Sequence, residues 1–193
     1  VNSFFFSKNR ELNSILKKYK LKEKKYISID PAGIYGFYSL GIASFILNNY
    51  NVKEYYFIGA SSGSWTSLIC CYKHDINDLI VNILDQDFFD NVTDLEIVQK
   101  QMYEYMLNKY TTNDFNLYKL AICLSEVGLY GFRTKVISNF ESLSCALDCC
   151  VLSSHIPYLT SNSFIKKYNN SVIFDGCLTP FPPDNIYNYY TIS

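Results

Sequence analysis

Along the first third of the chain, short β-prone runs alternate with longer stretches that are apolar at nearly every position. KYISID at residues 25–30 stops at Pro31, which predicts a strand ending in a turn. Over residues 34–47 the apolar side chains run almost all round a helix, which predicts a buried one. EYYFIG at residues 54–59 reads as a second strand, and SGSWTSLICCY at residues 62–72 opens a second buried helix. Strand, loop and helix repeated in this way predict a parallel α/β arrangement with right-handed crossovers.

The middle of the chain is more polar. DLEIVQKQMYEYMLN at residues 94–108 reads as an amphipathic helix, with Leu95, Val98, Met102, Tyr105 and Met106 on one stripe. Core packing is the expected role of that stripe. KLAICLSEV (119–127) and TKVISNF (134–140) read as strands joined by a turn at residues 128–131, and residues 142–153 read as a helix. SVIFD at residues 171–175 is the last interior strand, and the closing NYYTIS is also strand-like. No repeat, linker or low-complexity tract interrupts residues 1–193, so one domain is expected. The first residue is Val rather than Met, and trimming of a longer chain is expected too.

Composition narrows the function classes. The chain is 49% hydrophobic and 18% charged, which fits a packed fold rather than a disordered one. A net charge of −1 gives no broad electrostatic reason to bind nucleic acid. The basic run LKKYKLKEKK, residues 16–25, is expected to be a solvated helix end and turn. The seven cysteines lack a Cys-x-x-Cys pair and sit mostly in apolar surroundings, which predicts reduced, buried thiols and a cytoplasmic setting. No apolar run reaches the length of a membrane span. No metal or cofactor is expected.

The candidate chemistry begins at Gly59-Ala60-Ser61-Ser62-Gly63, a serine between small residues at a strand-to-helix junction. Such a turn crowds backbone against helix, so Gly59 and Gly63 suit it, and it would hold Ser61 Oγ at the carboxyl edge of the sheet. The first strand ends in IDPAGIYGFYSLG, where Gly33 and Gly36 let the backbone curl and aim N–H groups at the same crevice. As a dinucleotide loop this stretch is a poor match, because Pro31 stands where the first glycine would be. A base is still needed. His74 lies thirteen residues past Ser61 and is too far along, and His155 in VLSSHIPYL reads first as a packed or surface imidazole. Asp175 in VIFDGCLTP is the better candidate, a carboxylate ending an apolar strand, where burial would make it more basic. Taken alone, it reads first as an ordinary Asp-Gly turn ending a strand.

Together these stretches resemble the patatin-like phospholipase family. Its loop, nucleophile turn and distant Asp-Gly motif correspond to Asp30-Pro31-Ala32-Gly33-Ile34-Tyr35-Gly36, Gly59-Ala60-Ser61-Ser62-Gly63 and Asp175-Gly176-Cys177. GIYGFYSLGIAS also looks like the loop and helix of the animal adiponutrin and adipose triglyceride lipase branch, and Ser153-Ser154-His155-Ile156-Pro157 is similar to that branch's Ala-Ser-x-x-x-Pro segment. The similarity runs from about Tyr26 to Pro183.

The resemblance implies a three-layer α/β/α sandwich with a mainly parallel central sheet and a Ser61–Asp175 dyad without histidine. The N–H groups of Ala32, Gly33 and Ile34 would form the oxyanion hole. Gly36, Gly59, Gly63 and Gly176 belong to the motifs. The implied activity is hydrolysis of lipid esters, acylglycerols or phospholipids, with peripheral contact at a membrane or lipid-droplet surface. Three positions depart from the family pattern: Pro31 has no N–H, Tyr35 replaces the Arg of the plant loop, and Cys177 replaces a small residue. The alternatives are a Ser-His-Asp esterase using His155 and a lipid- or partner-binding domain without turnover. An acyl chain is expected beside residues 34–47, against Phe37 and Leu40. The aromatic content, 18 Tyr and 14 Phe, includes FFF at residues 4–6 and FDGCLTPFPP at residues 174–183, either of which could rim the site, though packing is expected of most rings.

Overall fold

A computed structural model describes residues 24–89, 94–184 and 189–192. Most of the basic run at residues 16–25 and the FFF at residues 4–6 lie outside the described residues. The elements, in chain order, are β1 (Lys25–Ile29), α1 (Gly36–Asn49), β2 (Tyr55–Ala60), α2 (Ser62–Ile69), α3 (Ile76–Leu84), α4 (Leu95–Lys109), β3 (Leu120–Gly128), β4 (Gly131–Ser138), α5 (Leu143–Ser153), β5 (Lys166–Tyr168), β6 (Ser171–Phe174) and β7 (Tyr189–Ile192). The fold is α/β, with one mixed sheet of seven strands.

The parallel part is β7, β1, β2 and β3, with Ile27 beside Phe57 and Gly59 beside Ile122. β1, β2 and β3 are largely buried on both faces, as near-continuous apolar runs require, whereas Tyr190 of β7 is 69% exposed. Ile27, Ile29, Phe57, Leu120, Ile122 and Leu124 point to one face, and Tyr26, Ile58, Ala60, Ala121 and Cys123 to the other. Ile29, Ile58, Ile122 and Leu124 are fully buried, each contributing about 1.5–3 kcal/mol of transfer free energy. All five described helices contribute to the larger core, on the first face.

β3 departs from the expected parallel pattern. It takes β4 antiparallel along Ala121 to Gly128, so β4 occupies one whole edge. On the other edge β2 pairs only with the first part, as far as Ala60 opposite Cys123. β6 then pairs antiparallel with Ser125 and Glu126, with Phe174 opposite Ser125. Two strands running toward each other therefore meet end to end on a single edge, separated by the width of Leu124.

Several expectations need correction. α1 is not buried all round: only Gly36, Ser39, Leu40 and Ala43 are buried, with Ile46 and Leu47 partly so, while Tyr38 and Phe45 are 75% and 59% exposed. Its uniform apolarity carried no information about which side faces out. α3 was not anticipated, although Ile76, Leu79, Ile80 and Ile83 have helical spacing and Asp75 caps the start by accepting the Asn77 N–H at 2.8 Å. The short β5 was not anticipated either. All seven cysteines are free, and five are buried. Among the described residues no helix is long and apolar enough to cross a membrane.

One buried charge ties β3, β4 and β6 together. Glu126 accepts from Arg133 Nε and Lys135 Nζ, both at 2.6 Å. Burial alone would push its carboxyl up, but hydrogen bonds from Lys135, Ser171 and Arg133 outweigh that and hold it down, from 4.5 to about 2. A carboxyl lowered on folding stabilises above its unfolded value, and that contribution is lost as pH falls from 4.5 toward 2. Glu126→Gln is expected to cost about 3 kcal/mol at pH 7 in urea unfolding and to flatten the loss of stability between pH 4.5 and 2. A variant as stable as the parent at pH 7 would contradict this account.

Candidate active site

The end-to-end meeting on β3 sets the geometry of the site. Ser61 is the first residue beyond β2, and Asp175 is the first beyond β6. Ser61 Oγ donates to Asp175 Oδ2 at 2.7 Å, across 114 positions of sequence. Both are buried, at 7% and 2% exposure. The other carboxylate oxygen, Oδ1, accepts the Cys177 N–H at 2.8 Å, which fixes the carboxylate plane.

Ser61 has φ 53° and ψ −130°, backbone that a non-glycine residue adopts only at a cost of about 1–3 kcal/mol. The surroundings hold it there. Its C=O accepts the Ser64 N–H at 2.9 Å and the Ser64 hydroxyl at 2.6 Å. Its N–H donates to Ser153 Oγ at 2.8 Å. α2 follows at once and lies against the sheet so closely that a Cβ on Gly63 would run into the Ile29 carbonyl oxygen, and one on Gly59 into the Gly63 carbonyl. A Cβ on Gly176 would likewise strike the Cys123 carbonyl. The expected motif glycines are thus places where backbone touches backbone.

The loop after β1 arrives beside this turn. Gly33, at φ +54°, opens a single 3₁₀ turn (Gly33–Tyr35), and Tyr35 N–H closes it on the Ala32 carbonyl at 3.0 Å. The first N–H groups of such a turn have no partner within it. The three expected oxyanion donors separate here. Ala32 N–H is taken by Ser62 Oγ at 2.9 Å, whereas Gly33 and Ile34 line the cavity that reaches Ser61. Gly36 allows α1 to approach the start of α2, since a Cβ there would come within 2.7 Å of Ser62 Cβ.

Neither histidine reaches Ser61. His74 is on the surface, 3.4 Å from Asp114. His155 is fully buried and stacked on Phe174, with ring centroids 5.8 Å apart. Its Nε2 faces the Phe164 carbonyl at 3.4 Å, so this nitrogen carries the hydrogen, and Nδ1 accepts from Ser161 Oγ at 3.1 Å. Burial pushes the imidazole down, favouring its neutral form, although the Phe164 carbonyl opposes this. Its backbone does take part: the His155 carbonyl accepts the Asp175 N–H at 2.9 Å.

The cavity in front of Ser61 encloses about 770 Å³, mouth included. Phe37 and Leu40 of α1 and Trp65 and Ile69 of α2 form its walls. Leu95, Val98 and Met102 of α4 line it too, so the stripe assigned to core packing is shared between core and cavity. Among the described residues, none that lines the cavity is charged. Two of the few polar ones are already partnered: Ser154 Oγ accepts the Trp65 indole N–H at 3.1 Å, and Thr160 Oγ1 donates to the Ser154 carbonyl at 2.6 Å. Sequence reasoning gave Ser153, Ser154 and α4 no place at this site, and only the helical spacing of α4 could have suggested a wall. Among the described residues, no group of three or more His, Cys, Asp or Glu side chains could hold a metal ion.

No known family model and no curated protein matches the chain.

The strain at Ser61 is separable from its hydroxyl. Ser61→Ala and Ser61→Gly both remove the bond to Asp175, but only glycine is at ease at positive φ. Ser61→Gly is therefore expected to be about 1 kcal/mol more stable than Ser61→Ala in denaturant unfolding. Equal stabilities would show that the turn is unstrained.

Proposed function

We propose that the protein is a serine hydrolase that cleaves uncharged lipid acyl esters through a Ser61–Asp175 dyad. The observation that carries this reading is the 2.7 Å bond from Ser61 Oγ to Asp175 Oδ2, at the inner end of an apolar cavity. A serine hydroxyl is a weak nucleophile until a base takes its proton. Here that base is a carboxylate already aligned on the proton, and no imidazole stands between them.

In the proposed reaction Ser61 Oγ attacks the ester carbonyl carbon as its proton passes to Asp175 Oδ2. The carbonyl oxygen becomes an oxyanion facing the N–H groups of Gly33 and Ile34. Each such donor is worth about 3–4 kcal/mol at an oxyanion. The N–H of Ser61 itself is committed to Ser153, and that of Ala32 to Ser62, so neither supplies a donor. The intermediate collapses, the C–O bond to the alcohol breaks, and Asp175 returns the proton to the leaving oxygen. Water, deprotonated by Asp175, then cleaves the acyl-enzyme and regenerates Ser61.

The uncharged wall supports an acyl chain as the buried part of the substrate. It also favours esters of neutral alcohols, because among the described residues no lining cation stands ready to hold a phosphate. Membership of the patatin-like family is part of the proposal. So is the helical layer which that fold carries on the sheet face formed by Tyr26, Ile58 and Cys123. Contact with a lipid surface and a cytoplasmic setting belong to the same reading.

A fluorophosphonate probe is expected to label the protein, and Ser61→Ala to abolish labelling. Asp175→Asn keeps the shape but cannot take the proton, so kcat on a panel of acyl esters should fall about 10²–10⁴-fold. His155→Gln should cost stability without a loss of that size. An unlabelled parent protein would favour a lipid-binding domain without turnover, and an active Asp175→Asn would remove the base. Leu40→Trp fills the cavity beside α1 and should shift preference toward shorter acyl chains. An unchanged chain-length profile would place the acyl group elsewhere.

A further inference from the structure

The end of α5 and the two residues after it meet the site at several points. Ser153 ends α5 and is completely buried. Its hydroxyl accepts the Ser61 N–H at 2.8 Å and donates to the Cys123 carbonyl at 2.7 Å. Ser154 Oγ accepts the Trp65 indole N–H, from the first turn of α2. The His155 carbonyl accepts the Asp175 N–H. Three consecutive residues thus grip the backbone of Ser61, the helix that follows it and the backbone of Asp175.

The need for this grip follows from the turn. β2 stays in register with β3 only as far as Ala60 opposite Cys123. At φ 53° the next residue leaves the ladder, and its N–H must find another acceptor in a place sealed from bulk water. The Cys123 carbonyl needs a donor at the same point. A hydroxyl can accept one bond and donate another through a single atom, so one serine serves both groups. Alanine would leave both unpaired.

We propose that Ser153 is a positioning residue: its hydroxyl holds Ser61 in the positive-φ conformation that lays Oγ on Asp175, while the turn it opens aligns the base. The catalytic consequence rests on the hydrolase reading, but the geometry does not. Without the hydroxyl, Ser61 can relax toward an ordinary backbone conformation, and Oγ then moves away from Oδ2.

The test compares the parent with Ser153→Ala and Ser153→Thr, using 4-nitrophenyl butyrate turnover and hydrogen exchange of the Ser61 amide. Ser153→Ala is expected to lower kcat about 10–100-fold through misplacement of the reacting hydroxyl. KM should stay within about twofold, since uniform binding is untouched. The Ser61 amide should exchange at least about tenfold faster relative to the rest of β2. Ser153→Thr, which keeps the hydroxyl, should recover most of the turnover. Leu79→Ala controls for destabilisation, because it opens a hole in the core under α3 at a residue that lines neither the cavity nor the dyad. If Ser153→Ala fails to fold, Ser153→Cys replaces it, with a weaker donor and acceptor of similar size. A kcat within about twofold of the parent would overturn the proposal. So would a loss no larger than that of Leu79→Ala at equal folded fraction. If the parent hydrolyses no ester, the hydrolase reading fails and the exchange measurement alone decides: faster exchange upholds the positioning role, and unchanged exchange overturns it.

Discussion

The contact between Ser61 Oγ and Asp175 Oδ2 exists because β3 lends one edge to two strands that arrive from opposite directions. β2 climbs that edge and stops at Cys123, and β6 descends it and stops at Ser125. β4 holds the whole of the other edge and leaves no second place for either. Side chains far apart in sequence then become neighbours by register alone. Moving β6 by two residues would keep every side chain on its face and still take the carboxylate out of reach of the hydroxyl.

Holding that contact costs backbone strain, which is offset by packing around it. Ser61 occupies a disfavoured conformation, α2 is pressed against β1 and β2 until only glycine fits between them, and a loop amide is tied to Ser62. Seven of the eight residues of α2 are buried, so the helix cannot move to release the strain without exposing Leu68 and Ile69. The result is a rigid cluster, in which the Ser61 hydroxyl and the Asp175 carboxylate are held in place by the surrounding backbone.

The cavity explains why α1 and α4 depart from simple amphipathic helices. Each must satisfy the core on one side and an open apolar space on another. In α1 this left nearly every position apolar, with Leu40 turned inward and Tyr38 outward. In α4 it extended the stripe beyond the core residues Met102 and Met106 to Leu95 and Val98 at the cavity wall. A hydrophobic pattern records that a side chain avoids water. It does not record whether that side chain packs against protein or lines a cavity.

Much of this was legible in the chain by itself. Short β-prone apolar runs bounded by turn residues marked β1, β2, β3, β4 and β6. Gly59, Gly63 and Gly176 marked close approaches, because only glycine tolerates backbone in that position, and Ser61 and Asp175 stood at strand ends where side chains become accessible. Other features were invisible because they depend on partners distant in sequence. The antiparallel entry of β6, the sorting of Ala32 from Gly33 and Ile34, and the commitment of His155 to Ser161 and Phe164 are of this kind. So is the double bond-making of Ser153, whose hydroxyl looks in sequence like any other at a helix end. Local pattern determined which segments form strands and helices and which residues could react, since those follow from each residue's own geometry. Only the tertiary structure decided which of them meet, because hydrogen-bond partners are set by the register of whole strands.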